Sequence, residues 1–235
     1  MALIQPLIEN DAISYWLKAI YSFTQALEGI CEGNSAWSVV KLYYTVFYCL
    51  RGELLSNSHL LIRNGSLFCM DLTTQTQFNT FTVNNLKGDH QLTICYYSKL
   101  VNNGTIVDLV SSNQIDGICP YEWMLKQRER VNYQMQKFPD PGIDPLLEKS
   151  YEAAKHTNID AILKQIDSSF NTDGIYLFDK DYCMIAIPFY KLQILLKRIQ
   201  IVHSDISSIT TELNFVRQKL SNIGISTEVI NKIVL

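Results

Sequence analysis

Apolar residues recur every three or four positions at Ile13, Trp16, Leu17, Ile20, Phe23, Leu27 and Ile30, the stripe of an amphipathic helix that runs from Asp11 and ends near Gly33. The following run, SAWSVVKLYYTVFYCLRGELL, puts apolar side chains on nearly every face. That pattern predicts a central helix buried on several sides, with Asn34 or Ser35 as its N-cap. Between Ser66 and Ser112 the period shortens. SLFCMDL, FTVNNL, QLTICYYSKLV and GTIVDLV read as short strands separated by Asn84-Asn85, Lys87-Gly88-Asp89 and Asn102-Asn103-Gly104.

Helical spacing then returns. Pro120 suits a helix start, Trp123, Leu125, Val131 and Met135 continue it, and Pro139 with Pro141 enforces a stop. Asp144-Pro145 starts a fourth helix whose apolar face runs through Leu146, Leu147, Tyr151 and Ala154, breaks at Thr157-Asn158, and resumes at Ile159, Ile162 and Ile166. After Phe170, GIYLFDKDYCMIAIP reads as two strands around an Asp179-Lys180 turn, with Pro188 opening a long helix. A last helical stretch carries Ile206, Ile209, Leu213, Val216 and Leu220 and stops at Asn222 to Gly224.

The expected fold is mainly α with a β component (α+β): an up-and-down four-helix bundle over residues 1–168 with a β-rich insertion at about 66–112. Residues 169–235 form a small β-hairpin plus helices packed on it. Composition agrees, because 47% hydrophobic and 18% charged residues without biased tracts leave enough apolar surface to fold all 235 residues. A net charge of −3 removes any global basic field, so a nucleic-acid contact must be local. The amino terminus lacks a basic and apolar leader, and the most apolar stretch, MIAIPFYKLQILLKRIQIV, is broken by Pro188, Lys191, Lys197 and Arg198. No membrane span is expected.

Six cysteines are scattered without a C-x-x-C pair or neighbouring histidines at ligand spacing. This predicts a reducing, cytoplasmic setting and neither a disulfide framework nor a metal site. Signatures for phosphate loops, dinucleotide binding, serine hydrolases and HExxH metalloproteases do not occur, so no cofactor is expected. Asp179 and Asp181 flank a lysine in a turn, and turn chemistry accounts for both.

Chemistry concentrates in two helical segments. In the second helix Tyr44, Tyr48 and Arg51 share one face, where the arginine either stacks on tyrosine inside the core or meets a ligand. In PYEWMLKQRERVNYQMQKFPDP, Arg128 and Asn132 lie four apart on one helical face, flanked by Lys126, Arg130 and Tyr133. A cation, an amide and a phenol there would suit a phosphate. The plainer reading is an i,i+4 ladder of Glu122, Lys126 and Arg130 on a solvated face, with Arg128 paired to a buried carboxylate.

The helix with Tyr43, Tyr44, Phe47, Tyr48, Arg51, Leu54 and Leu55 resembles the second helix of HEPN-domain proteins (higher eukaryotes and prokaryotes nucleotide-binding). The segment with Arg128, Asn132 and Tyr133 is similar to the later helix of that family, where Arg, three residues and an Asp-Tyr or Asn-Tyr pair recur. The resemblance covers about residues 11–168 and implies a four-helix bundle, frequent homodimers, and in many members a metal-independent ribonuclease of toxin-antitoxin or antiviral systems. Active members carry Arg, then four to six intervening residues, then His. Here no His follows Arg128 within ten residues, which removes the usual proton carrier near neutral pH. Arg198 and His203 have the required spacing but lie outside the resembling region, and His59, eight positions after Arg51, reads as a loop or core-edge residue.

The resulting expectation is an atypical HEPN-like subunit of a prokaryotic conflict system that binds protein and RNA, as a homodimer or within a larger complex. A dimer-built ribonuclease using Arg128 with Tyr133, or Arg198 with His203, is the alternative, and a regulatory adaptor of an ATPase or nucleotidyltransferase is a third.

Overall fold

The computed structural model describes residues 5–74, 77–83, 86, 88–140, 142–156, 159–170, 177, 179–202 and 207–235. Two long helices, α1 (Gln5–Glu32) and α2 (Ser35–Ser56), fold back on each other as a hairpin. The turn between them needs Gly33, whose φ of +79° closes α1 while the Asn34 amide donates to the Gly29 carbonyl. Trp16, Ile20, Phe23, Leu27 and Ile30 of α1 are all buried, as their spacing predicts.

A three-stranded antiparallel sheet follows, in the order β1 (His59–Asn64), β2 (Ser66–Asp71), β3 (Asn79–Phe81). The chain continues through α3 (Asp89–Asn102), α4 (Pro120–Glu129), α5 (Glu148–Lys155), α6 (Ile159–Phe170), α7 (Cys183–Val202), α8 (Thr210–Asn222) and α9 (Thr227–Ile233). The protein is therefore mainly α with a small β component. One hydrophobic cluster extends from Ile13 to Val234, so the last third of the chain shares its core with the first two helices. Where α7 crosses α2, a Cβ on Gly52 would come within 2.8 Å of Leu195 Cδ2; glycine lets the two helices meet.

Several sequence expectations are corrected. The β-rich insertion starts earlier, at His59, and is shorter than 66–112, because QLTICYYSKLV lies in α3. Its β-branched and aromatic residues favour strands locally, but Thr93, Tyr97 and Leu100 fall on one helical face and are buried, and that packing outweighs propensity. In GTIVDLV the alternation is real, with Ile106, Asp108 and Val110 buried and Val107 and Leu109 exposed, yet the stretch is a loop that pairs with no strand among the described residues. The strand expected over CMIAIP is the start of α7, and Pro188 lies inside that helix instead of opening it. Residues 183–192 are buried on every side, and a continuous apolar run cannot distinguish a buried strand from a buried helix. The strand expected on the other side of the turn falls mostly outside the described residues, as does the break at Thr157-Asn158. Asp179 does cap its turn, accepting from the Asp181 amide at 3.0 Å.

At the centre sits a charged group that no sequence pattern announced. Lys191 of α7 places Nζ 2.5 Å from Glu53 Oε1 of α2 and 3.3 Å from Asp108 Oδ2, with all three side chains fully buried. Lys191 also donates to the Tyr97 hydroxyl of α3 at 3.0 Å. Tyr97 in turn lies 2.7 Å from Glu53 Oε2 and 3.0 Å from Asp108 Oδ2, and Tyr121 of α4 donates to Asp108. Burial pushes the Glu53 carboxyl up, only partly offset by Lys191. Burial acts on Asp108 in the same direction, but Lys191 and the hydroxyls of Tyr121 and Tyr97 outweigh it and hold that carboxyl below the ordinary range. Burial works to strip Lys191 of its proton, and the two carboxylates prevail and raise it. Lys191 thus sits between two buried carboxyls, closer to Glu53 than to Asp108, while Asp108 has the two tyrosine hydroxyls and the Val110 amide as further donors.

Removing one member leaves the others charged and desolvated. Lys191→Met should lower stability by about 3–5 kcal/mol. Lys155→Met, which breaks the exposed Lys155–Glu152 pair, should leave the denaturant midpoint nearly unchanged. Urea titrations of the two variants check the contrast.

Candidate functional site

The residues singled out in α2 and α4 meet in space. The end of α4 passes into a π-helical turn over Arg130–Gln134, and the Met135 amide closes it on the Arg130 carbonyl at 3.1 Å. Widening by one residue changes the expected face. Arg128 is joined by Tyr133, five positions on, where a regular helix would present Asn132. The Arg128 guanidinium lies 5.4 Å from the centroid of the Tyr133 ring and 5.8 Å from that of Tyr44, across the gap to α2. Tyr133 is 72% exposed.

A histidine from another helix packs beside Tyr43 and Tyr44 of α2. His90, in the first turn of α3, shares a 2.8 Å hydrogen bond between Nδ1 and the Tyr43 hydroxyl. Its ring packs 4.3 Å from that of Phe47 and 5.6 Å, edge-on, from that of Tyr44. His90 and Arg128 thus flank the same tyrosine. Burial lowers the His90 pKa, and the Arg128 charge lowers it further against the weaker pull of Asp89. Burial drives the Tyr43 hydroxyl far above its ordinary range, an effect that Arg128 partly offsets. His90 was invisible as a site residue because the relevant distance from Arg128 is spatial; the only sequence signal is a His one position past a Gly-Asp helix start.

Arg128 carries a charge that no described carboxylate pairs with. Among the described residues no carboxylate lies within ion-pair distance of it, its Nε is buried without a hydrogen-bond partner, and its contact to the Tyr133 hydroxyl is 3.4 Å long. A half-buried arginine would ordinarily be paired. The expected buried carboxylate belongs to its neighbour instead. Arg130 reaches both oxygens of the fully buried Asp144, at 2.9 and 2.7 Å. The Asp144 amide donates to Ser35 Oγ, and Asp140 accepts from Ser35 Oγ and the Ala36 amide, so the exit from α4 is pinned to the start of α2.

The other candidates separate. Tyr48 stacks beside Tyr44, with ring centroids 5.8 Å apart. Arg51 donates to the Leu61 carbonyl of β1 at 2.7 Å while its guanidinium lies 5.4 Å from the Tyr15 ring centroid, so it is both a structural and a surface group. Lys126 is exposed and lines a small cleft with Glu122, Glu129 and Cys95, a lining that includes none of the tyrosines. Arg198 donates to Asn57 Oδ1 at 3.0 Å, and His203 lies outside the described residues. His59 opens β1, buried, with Nδ1 3.3 Å from the Tyr96 hydroxyl. All six cysteines are unpaired. Among the described residues no group of three His, Cys, Asp or Glu is arranged to hold a metal, and no helix is long and apolar enough to cross a membrane.

The lowered histidines set a pH dependence. His59, whose pKa burial also lowers, and His90 resist protonation when folded but accept protons at the ordinary value of 6.5 when unfolded. The unfolded state then binds more protons, so stability is lost as pH falls below about 6.5. His90→Gln should flatten that decline, as read from thermal unfolding at stepped pH. Compared with family models, curated proteins and solved structures, the chain matches none, so the site stands on its own geometry.

Proposed function

We propose that this protein is an atypical HEPN-like subunit of a prokaryotic conflict or antiviral defence system that works by binding protein partners and RNA, as a homodimer or in a larger complex. One observation carries the reading. The two helices that hold the family-like residues lie together, and their contact includes Arg128 of α4 over the ring of Tyr44 of α2. A guanidinium without a carboxylate partner, held by aromatic faces, retains donors for a phosphate. The defence setting rests on the resemblance alone.

RNA binding is tested by fluorescence anisotropy with a labelled oligoribonucleotide at low and moderate salt. Arg128→Ala should weaken binding about 10- to 100-fold, the loss of hydrogen bonds to a charged group, while Lys164→Ala, on the α6 surface, leaves it unchanged. A folded protein that ignores RNA, or binding that is indifferent to Arg128→Ala, overturns the reading.

The position of His90 favours a second reading, a metal-independent ribonuclease. A neutral imidazole beside an arginine can accept the proton of a ribose 2′-hydroxyl while the guanidinium stabilises the pentacoordinate phosphate. The 2′-oxygen forms the new bond to phosphorus, the bond to the 5′-oxygen breaks, and that oxygen takes a proton from water while the imidazolium of His90 returns its proton to solvent, giving a cyclic phosphate end. Cleavage that persists in chelator and is abolished by both His90→Ala and Arg128→Ala is the expected result. RNA that is bound but left intact by the wild-type protein rejects it.

A further inference from the structure

The contact between Arg128 and Tyr44 is one end of a longer feature. From Tyr44 the rings continue to Tyr48 at 5.8 Å and from there to Tyr15 of α1 at 6.3 Å. Tyr15 is met by two cations, Lys18 Nζ at 5.1 Å and the Arg51 guanidinium at 5.4 Å from its ring centroid. The stripe therefore runs Arg128, Tyr44, Tyr48, Tyr15, with Arg51 and Lys18 at its far end. The three tyrosines and two arginines are partly buried, each with an edge at the surface, and Lys18 is exposed. Among the described residues none of the three cations forms an ion pair. The acidic groups nearest in sequence or field are Asp11, one turn before Tyr15, and Asp89 and Glu129 beside Tyr43.

We infer that this stripe is a short track for unpaired RNA, in which two consecutive bases lie on the Tyr44 and Tyr48 rings and the flanking phosphates meet Arg128 at one end and Lys18 with Arg51 at the other. The inference rests on the RNA-binding reading above and adds the strandedness of the ligand. The ring-to-ring steps decide it. Centroids near 6 Å apart exceed the spacing of about 3.4 Å between bases stacked within one strand. Tyr44 and Tyr48 thus each take one base from an unstacked strand. A duplex hides its base faces and would offer this surface phosphates alone, and tyrosine rings contribute little to phosphate. The overall charge of −3 supplies no basic field, so binding along the stripe depends on stacking and on the three local cations.

The experiment compares a labelled unstructured 12-nucleotide RNA with a 12-base-pair RNA duplex by anisotropy. The single strand should bind more tightly by about tenfold or more. Tyr48→Leu, which keeps apolar packing and removes the ring, should weaken the single strand about 5- to 150-fold, the loss of one base-stacking contact, and leave the duplex unchanged. Tyr48→Phe keeps the ring and should keep the affinity, and matching thermal unfolding curves show that both variants fold. Equal affinity for the two RNAs, or indifference to Tyr48→Leu, overturns the track while leaving RNA binding intact. Binding of neither RNA overturns the track and the RNA-binding reading together.

Discussion

An ammonium group with no access to water must keep its counterions in place, and that requirement at Lys191 organises the rest of the molecule. Its partners come from separate parts of the chain: Glu53 from α2, Asp108 from the loop after α3, Tyr97 from α3 and Tyr121 from α4. A displacement of any one element would leave a charge or hydroxyl unpaired at low dielectric, where each such group costs several kcal/mol. The group therefore acts less as a source of net stability than as a restriction on which packing of these elements is acceptable.

Helix α2 links this interior to the surface. Glu53 and Tyr44 are nine positions apart, about two and a half turns at 3.6 residues per turn, so they face opposite sides of the helix. One side is held by Lys191 and the closely approaching α7; the other carries the tyrosines. Arg130 with Asp144 fixes the end of α4 against the start of the same helix. The groups proposed to contact RNA thus sit on a helix clamped along its length, a rigid support for side chains that must hold a set geometry.

The long amphipathic helices were legible, because an apolar stripe at helical spacing has one good burial solution. The Pro120 start and the Gly33 stop were legible for the same local reason, each residue being committed by its own backbone chemistry. Misreadings came where local signals are degenerate. The apolar run at the start of α7 and the β-branched residues of α3 suit either structure, and neighbours decided. Of the candidate residues that the chain points to, Arg128, Tyr44, Tyr48 and Tyr133 are neighbours in space. Arg130 was not separable from Arg128, since only the buried Asp144 distinguishes a committed arginine from a free one.

The amino-acid sequence by itself determined the mainly helical class, the central place of α2 and the identity of the two segments where chemistry gathers. These follow from periodicity and turn residues, which act over a few neighbouring positions. Tertiary structure alone decided that Lys191 is buried, that a π-helical turn brings Tyr133 to Arg128 in place of Asn132, and that His90 and Tyr15 join the tyrosines of α2. Each of these depends on residues distant in the chain being packed together. A lysine, a histidine or a tyrosine carries no local mark of the partner that will desolvate it or the ring that will stack beside it.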